Sequence, residues 1–350
     1  MTDENDTNQN PDRRRFLGAA AMTIAASRFG LGDASSQLMS SSSKPAINRG
    51  EVPRAFGPVK QVNAGVLDIG YVEDGPHNGP PVILLHGWPY DIHSYVDVAR
   101  LLAANGYRVI VPYLRGFGTT RFLTSDTVRN GEQVAIATDV IALMDSLQIK
   151  QAIIGGFDWG ARTADIVAAL WPERCKAIVP VSGYLIVNLV ANQQPLTPKA
   201  ELGWWYQYYF ATGRGVHGYS ANRRDFNKLI WTIASPKWSF DDATYNRTAA
   251  SFDNADHVAI VIHNYRWRLS LAKGEEHYAA QQEKLSQGPA ISVPTITIGS
   301  DFDGAAADGK PYAKKFSGKY AHRVLPGIGH NVPQEAPREF AQAIIDADRL

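Results

Sequence analysis

"AIIGGFDWGAR", residues 152–162, decides the fold. It begins as an apolar run, passes two glycines and resumes with residues that suit a helix. Asp158 stands at the turn between Phe157 and Trp159. A sharp strand-to-helix turn with small residues two positions either side lifts a nucleophile out of the backbone, and it usually carries serine. Gly156 and Gly160 occupy those two positions. An Asp here can also be a plain helix N-cap, but an N-cap needs neither glycine, whereas close approach of two backbones needs both.

The sequence on either side alternates. "VLDIGYVEDG" (66–75), "PPVILLHG" (80–87), "YRVIVPYLRG" (107–116), "QAIIGGF" (151–157) and "CKAIVPVSG" (175–183) read as strands. Between them "SYVDVARLLAANG" (94–106), "GEQVAIATDVIALMDSLQI" (131–149) and "WGARTADIVAALWPER" (159–174) have helical spacing. Strands alternating with helices imply an α/β fold, a mostly parallel twisted sheet with helices on both faces. The rhythm breaks over 184–271, which is rich in Trp, Tyr and Asn and reads as a helical cap inserted in the core. It resumes with "VPTITIGSD" (293–301), "YAHRVLPGIGH" (320–330) and a last helix, "APREFAQAIIDADRL" (336–350). The expected division is core over 51–183, cap over 184–271 and core again over 272–350.

Residues 1–50 are different. A polar start leads to "RRRFLGAAAMTIAASRFGLG" (13–32), where Arg13, Arg14 and Arg15 precede Phe16-Leu17 and an Ala-rich run. This resembles a twin-arginine export signal, followed by a Ser-rich linker. It implies a periplasmic or exported protein; without the signal, the expectation is cytoplasmic.

Composition narrows the function. The 350 residues are 45% hydrophobic and 20% charged, with a formal net charge of +1. That balance gives no field for nucleic acid, and no apolar run is long enough to span a membrane. One cysteine, Cys175, excludes an internal disulfide and a cysteine-based zinc site; its place at a helix–strand junction reads as core packing. No metal or cofactor is expected.

In open α/β sheets ligands bind beyond the carboxyl ends of the strands. There the chain delivers His86-Gly87-Trp88-Pro89, Arg115-Gly116-Phe117-Gly118, Asp158, Asp301 to Asp303, and His330. His330 comes last in the chain order nucleophile, acid, histidine. "TIGSDFDGAA" (297–306) offers Asp301 or Asp303 as the acid. The N–H groups of Trp88 and Trp159 can form an oxyanion hole. His86 reads as structural within its turn, and the remaining histidines receive no role.

"HGWP" (86–89), "RGFG" (115–118), "GFDWGA" (156–161) and "GHNVPQEAP" (329–337) together resemble the α/β-hydrolase superfamily, in its soluble epoxide hydrolase and haloalkane dehalogenase branch. The resemblance covers roughly residues 55–350, and family spacing prefers Asp303 over Asp301. One departure is Phe157, where many epoxide hydrolases carry His; its side chain is expected to face the interior. The resemblance implies a covalent mechanism: Asp158 attacks a saturated carbon, and water activated by His330 and oriented through Asp303 hydrolyses the ester. "WWYQYYF" (204–210) and "HNYRWR" (263–268) resemble the segments that carry the epoxide-activating tyrosines, which maps Tyr206 and Tyr265 to that role. Tyr208 and Tyr209 are rivals for the first, and aromatic packing is the plain alternative for each.

The expected substrate is a small, mainly apolar epoxide, with water as co-substrate, since the cap carries Trp204, Trp205, Tyr208, Tyr209, Phe210 and Trp231. The alternative is a haloalkane or haloacid dehalogenase with the same triad. There Trp88 and Trp159 offer indole N–H donors to a halide, and Arg162 resembles a carboxylate clamp of fluoroacetate dehalogenases whose second arginine is replaced by Trp159. A third reading, a non-catalytic ligand-binding protein on a hydrolase fold, is weakened by an intact triad.

Overall fold

The computed structural model describes residues 56–350, so the suspected export segment and linker lie outside the described residues. Nine strands form one sheet among these residues: β1 (Lys60–Ala64), β2 (Leu67–Asp74), β3 (Pro81–Leu85), β4 (Arg108–Pro112), β5 (Arg121–Phe122), β6 (Ala152–Gly156), β7 (Cys175–Pro180), β8 (Thr295–Ser300) and β9 (Tyr320–Leu325). The order is β1-β2-β4-β3-β6-β7-β8-β9, with β5 paired to β2. From β4 to β9 all neighbours run parallel, whereas β1, β2 and β5 are antiparallel additions at one edge. The sequence reading missed β1 and β5. Most of β1 is exposed and its pattern is weak; a two-residue turn with Gly65 at φ 59° folds it back onto β2.

The central strands carry continuous apolar runs because both faces are covered. Val82, Ile83, Leu84 and Leu85 of β3 are fully buried, and so is all of β6. Helices α1 (Val96–Ala104), α2 (Gln133–Ser146) and α3 (Trp159–Leu170) follow the first strands. Between β7 and β8 lie only helical elements: α4 (Pro198–Gly203), α5 (Trp205–Ala211), α6 (Gly213–Ala234), α7 (Asp242–Ala249), α8 (His257–Arg268), α9 (Ala279–Ser286) and short 3-10 turns. The chain ends in α10 (Val332–Glu335) and α11 (Pro337–Ala347). Helix α2 packs on α3, and α1 on α11.

Cys175 is buried at the start of β7, and burial pushes its thiol up to about 12, so it packs rather than reacts. The "RGFG" segment is also structural. Buried Arg115 forms a two-pronged ion pair with Asp139 of α2, at 2.6 and 2.7 Å, and donates to Asn130 O. Gly116 O and Gly118 O accept bonds from His257 and Asn254, which joins this loop to the helical insertion. No helix of the described residues is long and apolar enough to cross a membrane.

Candidate active site

Asp158 joins β6 to α3 with φ 54° and ψ −122°. A non-glycine residue there costs roughly 1–3 kcal/mol and persists only when its surroundings enforce it. The enforcement is steric. A Cβ on Gly160 would lie 1.9 Å from Leu85 O, and one on Gly156 2.3 Å from the Gly160 carbonyl carbon. Only glycine at both positions lets α3 start against β3 and β6, and the turn that results presents the carboxylate.

That carboxylate is held from several sides. The Trp88 N–H donates to Asp158 Oδ1 at 2.8 Å, and the Trp159 N–H also donates to the carboxylate. His330 Nε2 lies 3.5 Å from Oδ2. Burial alone would raise the Asp158 pKa; the His330 hydrogen bond and charge, the Arg162 charge and the Trp159 N–H outweigh it and hold the group below the usual carboxylate range. Asp158 is therefore ionised and ready to attack without a base.

His330 is buried in the loop between β9 and α10. Its backbone N–H donates to Ser235 Oγ at 2.9 Å, and Ser235 Oγ donates to Glu335 Oε1 at 2.6 Å. Glu335 also accepts from the N–H groups of Gly329 (2.7 Å) and Asn331 (3.1 Å), so one carboxylate staples the whole loop. Sequence reasoning missed Ser235 and Glu335. The signal for Glu335 was its place five residues after the histidine; Ser235 arrives from the far end of α6, which no local pattern announces. Phe302 covers the imidazole with ring centroids 4.0 Å apart, and fully buried Phe157 packs edge-on at 5.8 Å, facing inward as expected.

Asp301 and Asp303 separate clearly. Asp301 is exposed and pairs with Lys237 at 2.6 Å. Asp303 is buried, and burial raises its pKa against bonds from Ser182 and the Ser300 N–H and the charge of His330. The hydrogen bond expected between Asp303 and His330 is not formed. Asp303 Oδ2 accepts from Ser300 N–H at 2.8 Å, capping the 3-10 turn that follows β8, while His330 Nδ1 is buried without a partner.

Tyr206 of α5 and Tyr265 of α8 meet with ring centroids 5.3 Å apart, share a hydrogen bond, and both feel the charge of Asp158. Burial raises both phenol pKa values, so each keeps its proton. The rivals have other partners, although Tyr208 borders the cavity described below. Tyr208 is exposed and bonded to Glu201, and Tyr209 stacks on Phe226. Trp88 lies against both site tyrosines, at 5.1 and 5.2 Å. Its indole N–H is already used: it donates to Tyr219 Oη (2.8 Å), which lies 2.8 Å from His257 Nε2, and His257 Nδ1 lies 2.9 Å from Gly116 O. Burial lowers the His257 pKa to about 3, so this neutral ring joins a closed chain of bonds. Tyr219 and His257 had no sequence signal. The Trp159 indole N–H is buried and has no partner.

A cavity of about 430 Å³ is bordered by Asp158, Asp303, His330, Arg162, Arg268 and Trp204, among others. Tyr206 and Tyr265 lie beside it rather than on its wall. Of the six aromatic residues taken to mark an apolar pocket, Trp204 and Tyr208 border the cavity. Tyr209 is spent on Phe226, and Trp231 on Tyr90 and Pro89 O. Among the described residues no group of three His, Cys, Asp or Glu side chains is placed to hold a metal.

A strained carboxylate, a histidine and two N–H donors at one edge of this sheet define a class. The chain matches the family model described as alpha/beta hydrolase fold over residues 80–337, and it belongs to that family. Within it the chain is epoxide hydrolase-like. A solved structure of a proposed epoxide hydrolase from Klebsiella pneumoniae is 59% identical, with TM-score 0.83, over 86% of this chain and 100% of that one. Epoxide hydrolase B of Mycobacterium tuberculosis is 34% identical over 160 residues, 41% of this chain and 44% of that protein, so this match spans less than half of the relative's length. An epoxide hydrolase of Caballeronia sordidicola is 24% identical over 302 residues, 76% of this chain and 87% of the relative.

Proposed function

We propose that this protein hydrolyses epoxides to diols through an ester on Asp158. Asp158 Oδ2 attacks an epoxide carbon and the ring C–O bond breaks. The departing oxygen takes a proton from Tyr206 or Tyr265. Water then attacks the ester carbonyl as His330 accepts its proton, and the negative charge on Oδ1 rests against the N–H groups of Trp88 and Trp159. The Cγ–Oδ2 bond then breaks, the diol oxygen takes the proton back from His330, and the proton of the new Asp158 carboxyl returns to the tyrosine phenolate. Rotation of the Asp303 carboxylate toward the unpartnered His330 Nδ1 supports the imidazolium that forms. The helices between β7 and β8 act as the cap that supplies the two phenols.

The observation that carries this reading is the pairing of Tyr206 with Tyr265, ring centroids 5.3 Å apart, against Trp88, whose N–H holds Asp158; burial favours the protonated phenols there. A halide needs no proton, and of the two indole donors it would use, that of Trp88 is engaged by Tyr219. The unpartnered Trp159 N–H favours a halide, and Arg162 on the cavity wall favours the haloacid form of that reading. Offering styrene oxide and a bromoalkane to one preparation tests the choice. Diol without bromide is expected; bromide without diol would reverse the assignment.

For residues 1–50 we propose export through the twin-arginine motif. Replacing Arg13, Arg14 and Arg15 by Lys in a bacterial host is expected to move the protein from periplasm to cytoplasm. Identical fractionation of both forms would make the segment a tail.

A further inference from the structure

Two arginines border the cavity without a carboxylate to pair with. Arg162 is one turn after Asp158 on α3, and Arg268 is three residues after Tyr265 at the end of α8. Their relative exposures are 7% and 9%. Neither forms a salt bridge among the described residues. Arg162 Nε donates to Leu185 O at 3.2 Å. Arg268 Nε is buried with no acceptor at all, and its guanidinium lies over the rings of Trp204 (5.4 Å) and Tyr265 (5.7 Å). Two largely buried guanidinium groups in each other's field and without a salt-bridge partner oppose folding unless a ligand answers them.

Nearby acids do not answer them. Burial holds the Asp165 carboxyl well above the usual range, and it is bound to the Leu185 N–H. Glu201 is taken by Tyr208 Oη and the Leu196 N–H. Burial and the charge of Arg268 depress the Arg162 pKa to about 10, the sign of positive charge without sufficient compensation. Asp158 supplies a negative charge, but alkylation turns it into a neutral ester. The pair then loses the balancing charge of that carboxylate while the substrate is attached.

We infer that Arg162 and Arg268 form an anion subsite beside the nucleophile, and that the preferred epoxide carries a carboxylate. The epoxide half of this statement rests on the proposed hydrolase function; the subsite does not. The helix positions provide the alignment. One guanidinium rises from the turn after the nucleophile and the other from the turn after a proton donor, so a carboxylate between them holds the reacting carbon close to both. The planar fork of each arginine suits carboxylate oxygens. The rest of such an epoxide stays apolar, in line with the sequence-based expectation of a mainly apolar substrate.

The test has a binding arm and a turnover arm. Calorimetric titration of the wild-type protein with phenylacetate and with phenylacetamide compares one shape with and without charge. Phenylacetate is expected to bind at least about tenfold more tightly, and Arg268→Gln to bring the ratio close to one. Equal binding by the wild type would overturn the subsite whatever the enzyme turns over. Arg268→Gln is also expected to keep or raise Tm, since it removes an unpaired buried charge. A Tm lower by several degrees with an unchanged binding ratio would make Arg268 a structural residue and overturn the inference. In the turnover arm, kcat/KM for 4-carboxystyrene oxide is expected to exceed that for styrene oxide by about tenfold or more. A preference for the neutral epoxide defeats the substrate assignment. Turnover of neither, with phenylacetate binding intact, defeats the hydrolase reading and leaves the subsite standing.

Discussion

His330→Gln is expected to accumulate a covalent adduct on Asp158 when mixed with an epoxide that the wild-type protein turns over. The two halves of the reaction make different demands. Attack needs an ionised carboxylate, and with His330 removed the Trp88 and Trp159 N–H groups and the Arg162 charge still favour that form of Asp158. Hydrolysis needs a base to take a proton from water, which is worth on the order of 10²–10⁴ in rate. The variant removes the base from the second half and leaves the nucleophile of the first in place. Intact-protein mass spectrometry reads the adduct as a mass increase equal to the epoxide. An unmodified mass in His330→Gln, with an active wild type, would rule out the covalent route.

Tyr206→Phe and Tyr265→Phe should each slow ester formation by roughly a hundredfold, and the double variant should nearly abolish it. The opening ring leaves as an alkoxide, a strong base, and the donor that meets it is aimed where charge develops. Losing such a donor costs about 2–3 kcal/mol, which is the hundredfold stated. The rings also pack against Trp88 and against each other, and phenylalanine keeps that packing, so Tm should change little. Single-turnover alkylation separates this step from hydrolysis. Wild-type rates in all three variants would reduce both tyrosines to packing and favour the dehalogenase assignment.

The elbow was the most legible part of the site. Its requirements are local: an apolar run, two glycines at fixed offsets, one carboxylate and a helix start lie within 152–162. Tyr206 was readable only through resemblance, because "WWYQYYF" offers three tyrosines and nothing local ranks them. The tertiary structure gives the three different surroundings. It exposes Tyr208 to Glu201, stacks Tyr209 on Phe226, and leaves Tyr206 against Tyr265 and Trp88. Aromatic composition ranks the pocket residues poorly for the same reason, since a Trp or Tyr is equally at home in packing and in a cavity wall.

By itself, the sequence determined the parallel core, the order of its strands and helices, and the presence of Asp158, Trp88 and His330 at strand ends, because hydrophobic period and turn chemistry act over a few residues. Long-range placement decided the rest. Ser235 comes from α6 to hold the His330 loop, and Tyr219 and His257 cross from the insertion to take up the Trp88 indole. Asp303 is buried near His330 while Asp301 reaches Lys237. Arg162 and Arg268, on α3 and α8, meet at one cavity only once the insertion has closed over the sheet. Burial, counter-charge and hydrogen-bond partners are properties of a neighbourhood in space, and residues from distant parts of the chain make each of these neighbourhoods.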